Sequence, residues 1–153
     1  MLNPNGSEFD KHTHLSRLLD TVNTAVTILL TNNADFSFES TLLKSFDLIG
    51  NCLDVDRVQI WRNEIMNDEW HFILRHEWLS EYGKKCVQVP YELHFPYSMK
   101  KEWEKIFLLG SCINSPVSML SEEDSDFLGY YEMKSIVMIP MFLEGDFWSF
   151  LHQ

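Results

Sequence analysis

The sequence predicts an α/β (α+β) domain in which an antiparallel sheet of five or six strands lies between helical layers. Near the chain's end, SIVMIPMFL (135–143) and FWSFL (147–151) are two β-forming apolar runs joined by Glu144-Gly145-Asp146, the pattern of a hairpin. Neither run alternates with polar residues. Ile136, Met138, Pro140 and Phe142 lie on one face and Val137, Ile139, Met141 and Leu143 on the other, so both faces need a cover. The chain ahead of the hairpin supplies two helical stretches at its start and two shorter ones in its middle. Pro140 cannot donate to a ladder and marks a bulge or an edge.

In chain order, residues 1–12 are polar and are expected to be flexible. Thr13 can cap a helix whose Leu15-Leu18-Val22-Ala25-Leu29 series alternates steps of three and four. That spacing fits a coiled-coil seam, and equally an amphipathic helix packed on its own domain. The helix is expected to end near 31–33. Ser37 caps a second helix with Phe38, Leu42, Phe46, Ile49 and Leu53 as its stripe, and the two helices are expected to cover one sheet face. RVQIWR (57–62) alternates as a first strand, 63–68 is a turn, and EWHFILRHEWL (69–79) is a second strand. Cys86 to Tyr91 is expected as a third.

Pro96 opens a helical pattern with Met99, Trp103, Ile106 and Phe107 inward, which turns Lys100, Lys101 and Lys105 outward. Gly110 suits the position after its end. Residues 112–117 read as extended, and Ser121 with Asp124 resembles a capping box for a helix ending near Tyr131. Residues 80–134 thus leave the sheet and return as the second cover.

The chain has 153 residues, 45% hydrophobic and 14% aromatic, which is enough for one domain with a sizeable core. Its formal charge of −11 disfavours nucleic acid and anionic membranes. No apolar run suggests membrane insertion, and MLNPNGSEFD is not a signal peptide, so a cytoplasmic protein is expected. Cys52, Cys86 and Cys112 form no C-x-x-C and suggest neither a disulfide framework nor a zinc knuckle.

FESTLLKSFDLIGNCLDVDRVQIW resembles the opening of a GAF domain, a helix and short turn followed by an arginine at the start of the first strand. MKSIVMIPMFLEGDFWSFL resembles its close, with Ser149 where members commonly carry glycine. The resemblance covers residues 13–151 and is nearest to GAF modules of bacterial multidomain signalling proteins, such as sensor histidine kinases and cyclic-dinucleotide enzymes. It implies a PAS- or profilin-like antiparallel sheet with a small-molecule pocket under the segment between the third strand and the final hairpin. Members usually continue into a C-terminal helix leading to an effector domain. The GAF-like stretch, 13–153, is therefore expected to stop short of that helix.

Trp61, Trp78, Tyr91, Phe95, Trp103, Phe107 and Met138 are the candidate ligand-binding residues under this resemblance, and filling the core outright is the alternative. Leu15, Leu18, Val22, Ala25 and Leu29 are the candidate dimerisation face, and a homodimer is expected. A neutral or cationic, flat or apolar ligand fits the net charge and the aromatic lining better than a phosphate-rich one. No metal site is expected: His71 and His76 are five apart on a strand and would face opposite ways. Cys-His dipeptides, used by many phytochrome-like GAF domains for bilin attachment, do not occur. Nor does the N-K-x-F-x-x-x-D-E signature of cyclic-nucleotide GAF domains, a phosphate loop or a nucleophile elbow. No cofactor and no catalytic residue is expected. A sensory module that binds a small molecule, possessing no activity of its own in a longer protein, is the first reading. A structural dimerisation module is the second. A redox enzyme like the free methionine sulfoxide reductase, using Cys86 or Cys112, is the third.

Overall fold

The computed structural model describes residues 4–31 and 37–153. The chain divides into two compact units at the junction of Val55 and Asp56.

The first unit is a helical pair, α1 (Pro4–Leu30) and α2 (Phe38–Leu53). α1 begins at Pro4, whose fixed φ suits the first turn, so Thr13 lies inside the helix and is not its cap. Residues 1–3 of the expected flexible stretch, and Asn32 and Asn33 of the expected helix end, lie outside the described residues. Ser37 caps α2 as expected, its side chain accepting from the Ser40 N–H at 3.2 Å. α2 stops at Asp54, which takes the left-handed conformation (φ 56°) and returns its N–H to Gly50. Ser45 Oγ donates to the Ala25 carbonyl and Arg17 Nη2 to the Cys52 carbonyl, tying one helix to the other.

The second unit holds six strands: β1 (Arg57–Met66), β2 (Glu69–Leu79), β3 (His94–Pro96), β4 (Ile113–Pro116), β5 (Ser135–Leu143) and β6 (Asp146–His152). All neighbours pair antiparallel, in the order β3-β2-β1-β6-β5-β4. β1 runs four residues past Arg62 before Asn67 and Asp68, both with positive φ, turn the chain in two residues. Glu144 (φ 53°) and Gly145 (φ 94°) make the same kind of turn between β5 and β6. The expected strand at 86–91 does not form, and the third strand is β3, three residues further on. In 86–91 the Val87 N–H goes to the Glu132 carboxylate and Pro90 has no N–H to offer a ladder.

The register of β1 and β2 shifts between Ile60 and Trp61, leaving Arg75 as an extra residue on β2. A bulge inverts the facing of everything beyond it. His71 and His76 pair with Glu64 and Ile60, positions of equal parity on β1, so they share a face and the parity argument for opposite faces fails. Trp78, opposite Val58, is turned away from the face that carries Phe72 and Leu74.

Pro140 sits in a strand interior at no cost to the ladder. Val137 exchanges both backbone bonds with Gln153, so Val137 and Ile139 face β6 while Met138 and Pro140 face the β4 side. β4 pairs only as far as Met138, and the missing N–H of Pro140 points at an open edge.

One face of the sheet is covered by α3 (Lys101–Leu108), α4 (Glu122–Tyr130) and their connections. Trp61, Phe72, Leu74, Ile136, Met138 and Phe150 from the sheet form a single core with Trp103, Phe107, Leu128 and Tyr131. Ser121 Oγ caps α4 by accepting from the Asp124 N–H. Gly110 (φ 71°) closes α3, with its N–H on the Phe107 carbonyl and that of Ser111 on Ile106.

Candidate functional site

A small cavity of about 10 Å³ lies between the sheet and α3 and α4. Its walls include Trp61, Phe72, Trp103, Phe127, Leu128, Met138, Phe150 and His152. That volume is room for about one water molecule. Stacking fills the remaining space: Trp61 lies parallel to Phe150, and Phe72 packs within 5.1–6.1 Å of Trp61, Tyr97, Trp103 and Phe150.

Of the seven candidate ligand residues, Trp61, Trp103 and Met138 line this cavity. Phe95 packs behind it on Phe72 and Phe127. Phe107 is fully buried against Phe147 and Phe150, outside the lining. Trp78 is half-buried on the face to which the bulge turns it, and Tyr91 is exposed in the loop before β3.

A polar network beside the cavity, which reaches its lining through His152, has no counterpart among the sequence-based candidates. β6 places His152 opposite Gln59, and β1 places Gln59 opposite Glu77. Gln59 Nε2 donates to Glu77 Oε1 at 2.6 Å, and Gln59 Oε1 accepts from Trp61 Nε1 at 3.0 Å. An indole nitrogen only donates, so the amide orientation is fixed. His152 Nδ1, 2.9 Å from that same oxygen, must then carry its proton. His152 Nε2 is left as a bare lone pair, buried and without a partner. Burial, and then the charge of Arg57, hold the His152 pKa down to about 3. Burial pushes the Glu77 carboxyl up, against the Gln59 hydrogen bond and the Arg57 charge.

Arg57 is the arginine at the start of the first strand. Its Nη2 donates to the Val87 and Tyr131 carbonyls, which pins the loop after β2 and the end of α4 to the sheet. Its Nη1 is buried without a partner.

The pKa of His152 gives a pH prediction. The folded protein keeps His152 neutral while the unfolded chain protonates it below 6.5, so its contribution is complete above 6.5 and is lost as pH falls toward about 3. Through that window wild type should lose up to about 1.4 kcal/mol per pH unit more than His152→Gln. Urea midpoints measured at several pH values check this. Parallel curves for the two proteins would show that His152 is not held neutral.

Lys100, expected to point outward, is buried at the start of α3. Its ammonium contacts Asp124 (2.7 Å) and Glu123 (3.0 Å) and lies 5.3 Å from the ring centres of Trp103 and Phe127. Trp103 Nε1 donates to the other oxygen of Asp124. Lys101 and Lys105 are exposed.

The candidate dimerisation residues lie on one wide apolar arc of α1, part of it covered and part exposed. Ala25 is buried, and the half-buried Leu18 and Leu29 stand one or two turns from it on the same face. Leu15, Leu19, Val22, Val26 and Leu30 form the exposed part of the arc. Among the described residues, no group of three His, Cys, Asp or Glu is placed to hold a metal, and no helix is long and apolar enough to cross a membrane.

No family model matches the chain. Among curated proteins it is similar to the methanogenesis regulatory histidine kinase FilI of Methanothrix harundinacea (strain 6Ac), 24% identical over 136 residues. That match spans 88% of this chain and 15% of the relative's length. Among solved structures it is similar to a phycocyanobilin-bound GAF domain from a cyanobacterial phytochrome (TM-score 0.65, 15% identity, 92% of this chain and 78% of that one). It is also similar to the chromophore-binding domain of Stigmatella aurantiaca bacteriophytochrome, a Thr→His mutant in the Pr state (TM-score 0.68, 14% identity, 91% and 51%). A third is the A. aeolicus nlh2 GAF domain in an inactive state (TM-score 0.59, 17% identity, 91% and 79%). By its strand order, its covering helices and these likenesses, the chain has the GAF fold.

Proposed function

We propose that this chain is a sensory or regulatory module of a longer signalling protein, with no catalysis of its own, that binds a small molecule under α3 and α4 and relays its occupancy to an effector domain. The observation that carries the reading is the lone pair of His152 Nε2, buried without a partner in a residue that lines the cavity. An unmatched buried polar atom costs about 1–3 kcal/mol and is tolerated where a ligand completes it. The preferred ligand is neutral or cationic, flat and apolar, with one N–H or O–H for His152. Binding opens the cavity by moving α3 and α4, because about 10 Å³ admits no more than water.

Thermal-shift and tryptophan-fluorescence screening of small neutral heteroaromatics tests it, since Trp61 and Trp103 line the site. A hit should be lost in His152→Leu and kept in the double variant Cys86→Ser, Cys112→Ser. No hit in wild type would favour the structural reading. Thiol-dependent reduction of free methionine sulfoxide, abolished in the double variant, would favour the enzyme.

The exposed stripe of α1 supports a homodimer. Leu15, Leu19, Val22 and Val26 follow steps of four, three and four, the spacing of a coiled-coil seam. Burying one leucine contributes about 1.5–3 kcal/mol. Leu19→Asp is therefore expected to halve the mass seen by light scattering with helicity unchanged, whereas Leu18→Asp strikes the face shared with buried Ala25 and lowers stability. Equal masses for wild type and Leu19→Asp would remove the dimer.

A further inference from the structure

At the end of the sheet where β1 turns into β2, a groove of about 340 Å³ opens between β1, β2, the turn after β3, α3 and the start of β6. It is separate from the cavity that holds His152, and no residue lines both. Its volume lies in the range of small-ligand sites. Its walls include Asn63, Trp70, Tyr97, Glu104, Asp146 and Phe147.

The charge of these walls is one-sided. Tyr97 donates its hydroxyl proton to Asn63 Oδ1 at 2.7 Å, and Asn63 Nδ2 donates to the Phe147 carbonyl at 3.1 Å. The tyrosine proton and one amide proton of Asn63 are committed, and the tyrosine oxygen keeps a lone pair. Burial, and then the neighbouring Glu104 carboxylate, push the Tyr97 pKa up, so the hydroxyl keeps its proton. Glu104 and Asp146 add acceptors only. Neither enters an ion pair among the described residues, and Lys105, next to Glu104, is paired with Glu102. Among the described residues, no lysine, arginine or histidine lines the groove. Trp70, about half exposed, supplies an indole face of the kind that attracts cations. Two carboxylates without a paired cation, a phenolic lone pair and aromatic walls match a positively charged ligand with an apolar stem.

We propose that this groove binds a small aliphatic amine, with ammonium groups on Glu104 and Asp146 and its methylenes along Trp70 and Phe147. The site is independent of the sensory reading of the other cavity.

The probe is 1,4-diaminobutane, titrated into the 153-residue chain at fixed ionic strength and followed by calorimetry and tryptophan fluorescence. Saturable binding of one equivalent is expected. Glu104→Gln and Asp146→Asn should each raise Kd by about tenfold or more, the worth of one charge-assisted contact. Trp70→Leu should weaken binding and remove most of the fluorescence change. 1-Butanol should not compete. Glu39→Gln, which removes a distant charge, should leave Kd unchanged. Absence of saturable binding would overturn the proposal. So would equal weakening by Glu39→Gln, which would mark attraction to the −11 net charge alone, and so would tighter binding of a lysine-rich peptide than of the diamine.

Discussion

Asp124→Ala should destabilise the protein by about 3–5 kcal/mol, because it leaves the Lys100 ammonium buried without its nearest counter-charge. Lys100 is only 6% exposed and contacts Asp124 at 2.7 Å, while its second partner, Glu123, stands largely in solvent. The same substitution strips the acceptor from Trp103 Nε1. Two further variants separate these effects. Asp124→Asn keeps acceptors and removes the charge. Lys100→Met with Asp124→Ala removes both ions and keeps an unbranched apolar stem against Trp103 and Phe127, so it should recover most of the loss. Urea denaturation measures all three. A double variant no more stable than Asp124→Ala would show that the loss arises from Trp103 and the start of α4, and not from the stranded lysine.

Phe107→Ala should cost about 3–5 kcal/mol as well, by the different route of an unfilled hole. Phe107 has no exposed surface and stacks on Phe150 at 5.0 Å and against Phe147 at 5.6 Å. α3 is short, eight residues, and depends on Trp103 and Phe107 to hold it on the sheet. Phe107→Leu refills much of the volume and should lose less than half as much. Thermal melts with calorimetry check the pair. Equal losses for Ala and Leu would mean that the site collapses freely and that α3 is held by other contacts.

Much of the fold is legible in the sequence because local chemistry agrees with it. Ser37 and Ser121 cap the helices the sequence assigns to them, Glu69–Leu79 is a strand to the residue, and Glu144-Gly145 turns the final hairpin. The illegible parts depend on pairing. The bulge at Arg75 has no signal of its own, yet it turns Trp78 off the core face and brings Glu77 opposite Gln59. His152 looks like a polar tail after FWSFL, and only the register with β1 carries it into the core. Helical spacing turns Lys100 outward only if it belongs to the helix, whereas it precedes the first turn and faces α4. On α1 the apolar residues form one wide arc, covered along one edge and exposed along the other. Spacing alone therefore gives one seam where the helix presents two edges, Ala25 marking the covered one and Leu19 the exposed one.

Among the described residues, β5 has no strand on its outer side beyond Met138, and Ile139, Phe142 and Leu143 are all exposed there. Such a segment is the kind on which a second chain can zip up and start a fibre. Pro140 removes the donor at the centre of that free edge, and the register slip between Met141 and Phe142 twists the tip of the hairpin out of line. An incoming strand would find a gap where its second bond should form. The hairpin thus exposes an apolar tip while the missing donor interrupts the backbone edge on which another strand would pair.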